Sequence, residues 1–282
     1  MGNAGCCERS EKEETIVVTA SWPYECQPGN NGKDGLDHVT EAGQLAKSPG
    51  LGLDQGAVYR GEWRGEHRHG EGRLIYSDGA VYVGQLRWDR KHGLGRYTYS
   101  NGSSYNGQWA QDVQDGNGVE RLADGSTFKG QFREGAKHGY GEFSWTFGGC
   151  YDGQFERNFM HGRGKYRWSD GKTYAGEWHK NIMGPRGEMR WPDGRRYVGD
   201  FENGLQHGSG VLTRVDEKVQ TGAWASGQYV KSHAVDGSEE RALAAAKAAA
   251  NEATAAEAAA VKASSIAAAR RVEEGWHRVP TT

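Results

Sequence analysis

Tyr59-Arg60-Gly61-Glu62-Trp63 opens a pattern that returns every 23 residues. The first position recurs as Tyr82, Tyr105, Phe128, Tyr151, Tyr174 and Tyr197. Two residues on, each unit has glycine: Gly61, Gly84, Gly107, Gly130, Gly153, Gly176 and Gly199. Two further on stands a large apolar residue: Trp63, Leu86, Trp109, Phe132, Phe155, Trp178 or Phe201. A spacing of two puts all three on one face of a strand. A partial eighth unit keeps Gly222 and Trp224 but has Gln220 in the tyrosine position.

The second half of each unit alternates in the same way, as in Gly72-Leu74-Tyr76, Gly141-Phe143-Trp145 and Gly164-Tyr166-Trp168. A short polar turn such as Arg64-Gly65-Glu66 separates the halves. Units end in Asp78-Gly79, Asn101-Gly102, Asp124-Gly125, Gly148-Gly149, Asp170-Gly171 or Asp193-Gly194. Such dipeptides tolerate positive φ in tight hairpin turns. The spacing therefore predicts a mainly β protein: seven β-hairpins in one elongated, single-layer antiparallel sheet over residues 58–230. Fourteen strands ~4.8 Å apart make a rod about 67 Å long, in which each unit touches only its neighbours. Both ends of the sheet are open edges, which invite pairing with another chain. Self-association through the terminal repeats is one expectation; a cap formed by the irregular units six and seven is the other.

These units resemble the MORN repeat (membrane occupation and recognition nexus), with its Tyr-x-Gly-x-Trp, His-Gly-x-Gly and Asp-Gly elements. The His-Gly-x-Gly element stands at His69–Gly72, His92–Gly95, His138–Gly141, His161–Gly164 and His207–Gly210. Unit three has Asp115-Gly116-Asn117-Gly118 instead, and unit six Gly184-Pro185-Arg186-Gly187. The resemblance implies a twisted rod with scaffolding or membrane-associated roles, in a cortical, pellicular or flagellar setting, and no particular partner.

Composition agrees with a special architecture. The chain has 44 glycines in 282 residues, about twice the usual share. Its formal net charge is −2. Residues 1–57 hold 4 Lys/Arg against 9 Asp/Glu, 58–218 hold 24 against 21, and 219–282 hold 7 against 7. This is too even for a nucleic-acid footprint, which needs a concentrated basic face. Contact between the mildly basic repeats and acidic phospholipids stays open. Four cysteines, Cys6, Cys7, Cys26 and Cys150, match neither a disulfide framework nor a zinc pattern. Without a signal-peptide core or a span-length apolar run, the expected location is the cytosolic side of a membrane.

No reactive constellation stands out. The repeated histidines lie about two strands, or ~9.6 Å, apart, too far to share an ion whose ligands sit ~2 Å from it. Gly-x-Gly never leads into an amphipathic helix, which a phosphate cradle requires. Acidic and histidine residues recur by repeat instead of converging on one point. The expectation is no enzyme, no cofactor and no metal. The aromatic rows read as the core, with outer rims that form a groove for a partner, because a single layer cannot cover its own apolar face.

Two flanking segments differ. Met1-Gly2-Asn3-Ala4-Gly5-Cys6-Cys7 resembles a dual-acylation signal, with myristate on Gly2 and palmitate on Cys6 and Cys7. One myristoyl chain anchors only marginally, and the glutamates that follow exclude a polybasic second signal, so palmitate must supply it. The rest of 1–57 reads as a mostly disordered acidic linker. Thr15–Ala20 is its exception, able to add a strand to the first open edge beside Trp22 and Tyr24. Residues 231–237 read as a linker and 275–282 as a tail. Between them, 238–274 is alanine-rich, with Ser238 as N-cap and Gly275 as stop, which predicts one long helix. That helix is a solvated spacer, lies close along the sheet's apolar face, or pairs with its copy in a homodimer. The leading functional expectation is a membrane-tethered scaffold for cytoskeletal or membrane proteins. The alternatives are a phospholipid-headgroup binder that regulates lipid signalling, and a ciliary subunit without membrane contact.

Overall fold

In a computed structural model, which describes residues 56–231 and 237–269, sixteen strands form one antiparallel sheet in chain order. They are β1 (Val58–Arg64), β2 (His67–Ile75), β3 (Val81–Arg87), β4 (Arg90–Thr98), β5 (Ser104–Ala110), β6 (Val113–Arg121), β7 (Thr127–Arg133) and β8 (Ala136–Ser144). The rest are β9 (Cys150–Glu156), β10 (Phe159–Arg167), β11 (Thr173–His179), β12 (Ile182–Arg190), β13 (Arg196–Glu202), β14 (Leu205–Thr213), β15 (Val219–Ala225) and β16 (Gln228–Lys231). The sheet exceeds the expected fourteen strands because the incomplete eighth unit still forms a hairpin. A helix, α1 (Ser238–Ala269), follows.

Both kinds of connection carry the expected positive φ, at Gly65 within unit one and at Gly79 after it, but only those within units are tight. The tight two-residue turns lie within units: Trp88 and Asp89, for instance, hold φ of 52° and 69°, the geometry that matches strand twist. The Asp-Gly dipeptides sit in longer loops between units. There the Asp78 Oδ1 accepts the N–H of Ala80, and the N–H of Gly79 bonds to the carbonyl of Tyr76. The turn carboxylates and amides also tie units together. Asp112, Asn158 and Asn181 accept the backbone N–H of Lys91, Lys137 and Met160, each 21 residues earlier.

Each of the seven complete hairpins is bent at a pair of facing glycines. In unit two, Gly84 pairs with Gly95, the register then slips, and Leu86 pairs with Lys91. The slip leaves the Gln85 carbonyl and the Leu94 N–H without ladder partners. The Tyr82 hydroxyl donates to that carbonyl at 2.7 Å, and the Gln85 side-chain oxygen accepts that N–H at 3.0 Å. Both fillings require glycine. A Cβ on Gly95 would collide with the Tyr82 ring, and one on Gly93, at φ 62°, with the Gln85 amide. The same hydroxyl bond closes units one, three, five, six and seven at 2.8–3.0 Å. Unit four has Phe128 and lacks it.

The rings fill the crook of this bend. Tyr82 meets Trp109 edge-on, Trp109 meets Tyr105, Tyr105 meets Phe132, Phe132 meets Phe128, and Phe128 meets Phe155. The file continues through Tyr151, Trp178, Tyr174, Phe201, Tyr197 and Trp224 to Tyr229, with centroids 5.0–5.5 Å apart. Edge-to-face pairs of this kind add ~0.5–1.5 kcal/mol each beyond area burial. The two arms of the bend converge over the rings, since Lys91 Nζ reaches Tyr76 Oη at 3.5 Å and Gln114 Nε2 reaches Tyr99 Oη at 3.3 Å. A single layer thus encloses its own core, and Tyr82, Tyr105, Phe128, Tyr151, Tyr174 and Tyr197 are all 0 % exposed.

Helix α1 packs on the sheet, against strands β6 to β14. It lies on the outer face, opposite the rings, and not on the apolar face that was one expectation. Ala246, Ala249, Ala253, Ala256, Ala260, Ala263 and Ala267 are its buried stripe, at the three- and four-residue spacing of one helix face. At 1.5 Å per residue it is ~48 Å long, enough to cross nine strands. The expected residues 270–274 of the helix lie outside the described residues.

Tyr105→Phe should destabilise the fold by about 1–2 kcal/mol, because it strands the Gln108 carbonyl. Phe128→Tyr should instead be neutral or stabilising by up to about 1 kcal/mol. Chemical denaturation of both variants tests the pair.

Candidate interaction surfaces

The aromatic ladder expected at Tyr59, Trp63, Tyr82, Tyr105, Trp109, Phe128, Phe132, Tyr151, Phe155, Tyr174, Trp178, Tyr197 and Phe201 is core throughout except at Trp63. That residue is 41 % exposed, and the others are 6 % or less. Each of the glycines Gly61, Gly84, Gly107, Gly130, Gly153, Gly176 and Gly199 faces a second glycine across the hairpin. Burial pushes the hydroxyls of Tyr82, Tyr105 and Tyr174 far above the usual phenol range. They therefore remain neutral donors to the bulge carbonyls.

Two other columns of the repeat remain open to solvent. The first runs along the outer face, one residue into the even-numbered strands. It reads Val113, Ala136, Phe159, Ile182 and Leu205 over units three to seven. Val113, Phe159 and Ile182 are 42 %, 38 % and 44 % exposed. In the other units the position is polar: His67, Arg90 and Gln228. The second column lies where the even strands run into the inter-unit loops: Tyr76, Tyr99, Leu122, Trp145, Trp168 and Trp191. These six side chains are half-buried against the core or, for Tyr99, exposed. Phe147 stacks on Trp145, Lys172 lies 4.7 Å over Trp168, and Arg195 lies 5.2 Å over Trp191. Sequence reading reached Tyr76, Trp145 and Trp168 as strand alternation and missed both columns as surfaces. Comparing each of the 23 positions down the repeats would have found them.

The face under α1 is charged. Arg163 pairs with Glu252 at 2.7 Å, Lys165 with Glu257 at 3.1 Å, and the Ser264 hydroxyl donates to Glu142 at 3.0 Å. Asp152 is buried among these groups. Burial first, then the carboxylates of Glu142 and Glu257, push its pKa up to about 6, against the pull of Arg167 and Lys165.

The family pattern for the MORN repeat matches seven segments: 59–81, 82–104, 105–127, 128–149, 151–173, 174–195 and 197–218. The chain belongs to the MORN repeat family. Its units are therefore a non-catalytic repeat scaffold by family, and each MORN repeat here contributes one bent hairpin. No curated protein matches the chain. Among solved structures, the TCP domain of Drosophila melanogaster SAS-4, in complex with a proline-rich motif of Ana2, is similar at 12 % identity and a TM-score of 0.37. The match covers 65 % of this chain and 99 % of that one. The TCP10 domain of Danio rerio CPAP, in complex with a STIL peptide, gives 12 % identity and a TM-score of 0.21, over 58 % of this chain and 67 % of that one.

The histidines of the MORN repeats pair locally. His161 stands 5.1 Å from the His179 ring and 3.4 Å from Glu156, and His207 stands 3.2 Å from Glu202. Among the described residues no group of three or more His, Cys, Asp or Glu gathers as a metal site, and no helix is long and apolar enough to cross a membrane. Gly2, Cys6 and Cys7 and the strand expected at Thr15–Ala20 lie outside the described residues.

Asp152 sets a pH test for the helix. Its pKa in the docked state lies above the ordinary value, so docking binds a proton. The resulting stability is complete below the ordinary carboxylate range and is lost as pH rises through about 6. Asp152→Asn should raise the melting temperature at pH 7 by about 2–4 °C and flatten its slope between pH 5 and 7. Thermal melts by circular dichroism across that range check this.

Proposed function

We propose that this chain is a membrane-tethered protein-interaction scaffold, whose repeats bind protein partners along the outward column Val113–Phe159–Ile182. That column carries the reading. The rings already fill the core and α1 already covers its own strip of the outer face. Val113, Phe159 and Ile182, about 40 % exposed in units three, five and six, therefore lie outside the core on a shared line of the repeat. Their confinement to units three to seven makes a bounded contact strip of five positions, ~38 Å long at two strands per step. The family supports a role through surface and not through a reactive centre. Tethering rests on the sequence Gly2, Cys6 and Cys7, with the acyl chains holding the scaffold on a cytoplasmic leaflet of the plasma membrane or cortex.

Phe159→Asp with Ile182→Asp should keep the fold and lower the melting temperature only slightly, because both side chains lie outside the buried core. It should remove the partners that proximity labelling finds around the wild-type chain. An unchanged set of labelled partners would overturn the reading. Gly2→Ala should shift a tagged copy from the membrane pellet to the supernatant. An unshifted copy would favour direct headgroup binding if an unacylated 58–230 fragment floats with acidic liposomes in a salt-sensitive way, and a ciliary subunit if it does not.

A further inference from the structure

We propose that the rim row Tyr76–Tyr99–Leu122–Trp145–Trp168–Trp191 is a second docking surface, which binds a proline-rich segment in the polyproline II conformation, bearing basic residues and laid along the rod. It is separate from the outward column and does not depend on it.

The argument is one of period. Equivalent residues in successive repeats stand two strands apart, ~9.6 Å. A polyproline II helix has three residues per turn and rises 3.1 Å per residue, so one side of it returns every ~9.3 Å. Over the five intervals of the row the two lattices drift apart by only ~1.5 Å. An α-helix returns a side chain after seven residues, or ~10.5 Å. Its drift over the same row is ~4.5 Å, which would carry the last contacts off their rings. An extended strand turns alternate residues away, so a three-residue step lands on the wrong face. Only the polyproline lattice can place one residue on every rim ring.

The chemistry of the row agrees. Prolyl rings pack on Tyr and Trp, the contact by which proline-rich ligands are held elsewhere; on Trp145, Trp168 and Trp191 they replace the Phe147, Lys172 and Arg195 side chains that lie over those rings. The loops beyond the row carry the charge that selects basic residues. Loops 77–80, 100–103, 123–126, 146–149, 169–172 and 192–195 hold Asp78, Asp124, Asp170 and Asp193, against Lys172 and Arg195. Four acids minus two bases leave two net negative charges on the flank.

The test is a fluorescence titration of the full chain with synthetic peptides of the triplet Pro-Pro-Arg. Affinity should rise with each triplet up to about six, the number of side chains in the row, and then level off. Peptides of Gly-Gly-Arg or Pro-Pro-Glu triplets should bind at least tenfold more weakly. Trp168→Leu, which keeps an apolar side chain against the core, should weaken Pro-Pro-Arg binding about tenfold, and Asp124→Asn should reduce it less. Phe159→Asp with Ile182→Asp should bind the peptide like wild type, so failure here and failure of the outward column are told apart. Equal binding of Gly-Gly-Arg would reduce the row to a charge effect. Better binding of a basic amphipathic helix, or affinity that ignores triplet number, would overturn the proposal, as would no binding at all.

Discussion

The contact of one aromatic ring with two facing glycines governs this molecule. Tyr82 lies over Gly84 and Gly95, and the same arrangement recurs down the rod. With no side chain at either position, the ring sits directly on the backbone and the sheet bends around it. The bend breaks the ladder at one carbonyl and one N–H, and the repeat supplies a hydroxyl and an amide oxygen for those two groups. The bend, the ring and the two repairs therefore form one device. It explains why a sheet one layer thick can bury its core, and why glycine is so abundant in the chain despite its entropic cost.

Much of this was legible in the sequence because the constraints are local and repeat. The 23-residue register of ring and glycine fixes strand, face and neighbour without long-range information. The hairpin order follows from short connections alone. Other features depend on the bend, which period-two reading cannot represent. A flat sheet would expose the aromatic face, and from that came the expectation of a groove at Tyr105 or Tyr151. In the bent sheet those rings are sealed, and the accessible apolar residues are Phe159 and Ile182 on the other side. The Asp-Gly connections are also longer than read. Gly79 holds the expected positive φ, but Asp78 serves as a side-chain acceptor in a five-residue loop, and the tight turns are those within units, as at Trp88-Asp89.

The helix shows a second limit of sequence reading. Its alanines predicted helix strongly and gave no side to pack on, because an alanine stripe has little apolar contrast. Charge decides the side. Glu252 and Glu257 face Arg163 and Lys165 across the interface, whereas the ring-side cations Lys91 and Lys137 lie against the rings. The small side chains let the helix settle close, and the ion pairs set its position. Asp152 is the residue poorly served by that arrangement.

The reach of α1 divides the rod mechanically. Strands β6 to β14 are splinted by a helix that spans them lengthwise, while β1 to β5 lie beyond it, held by the sheet ladder and by contacts such as Tyr82 with Trp109. The file of edge-on rings is also broken in that free portion, where Leu86 takes the place of an aromatic. The result is a beam with a braced length and a compliant end. A load applied along it would be absorbed first in the repeats nearest β1, leaving the braced repeats in register.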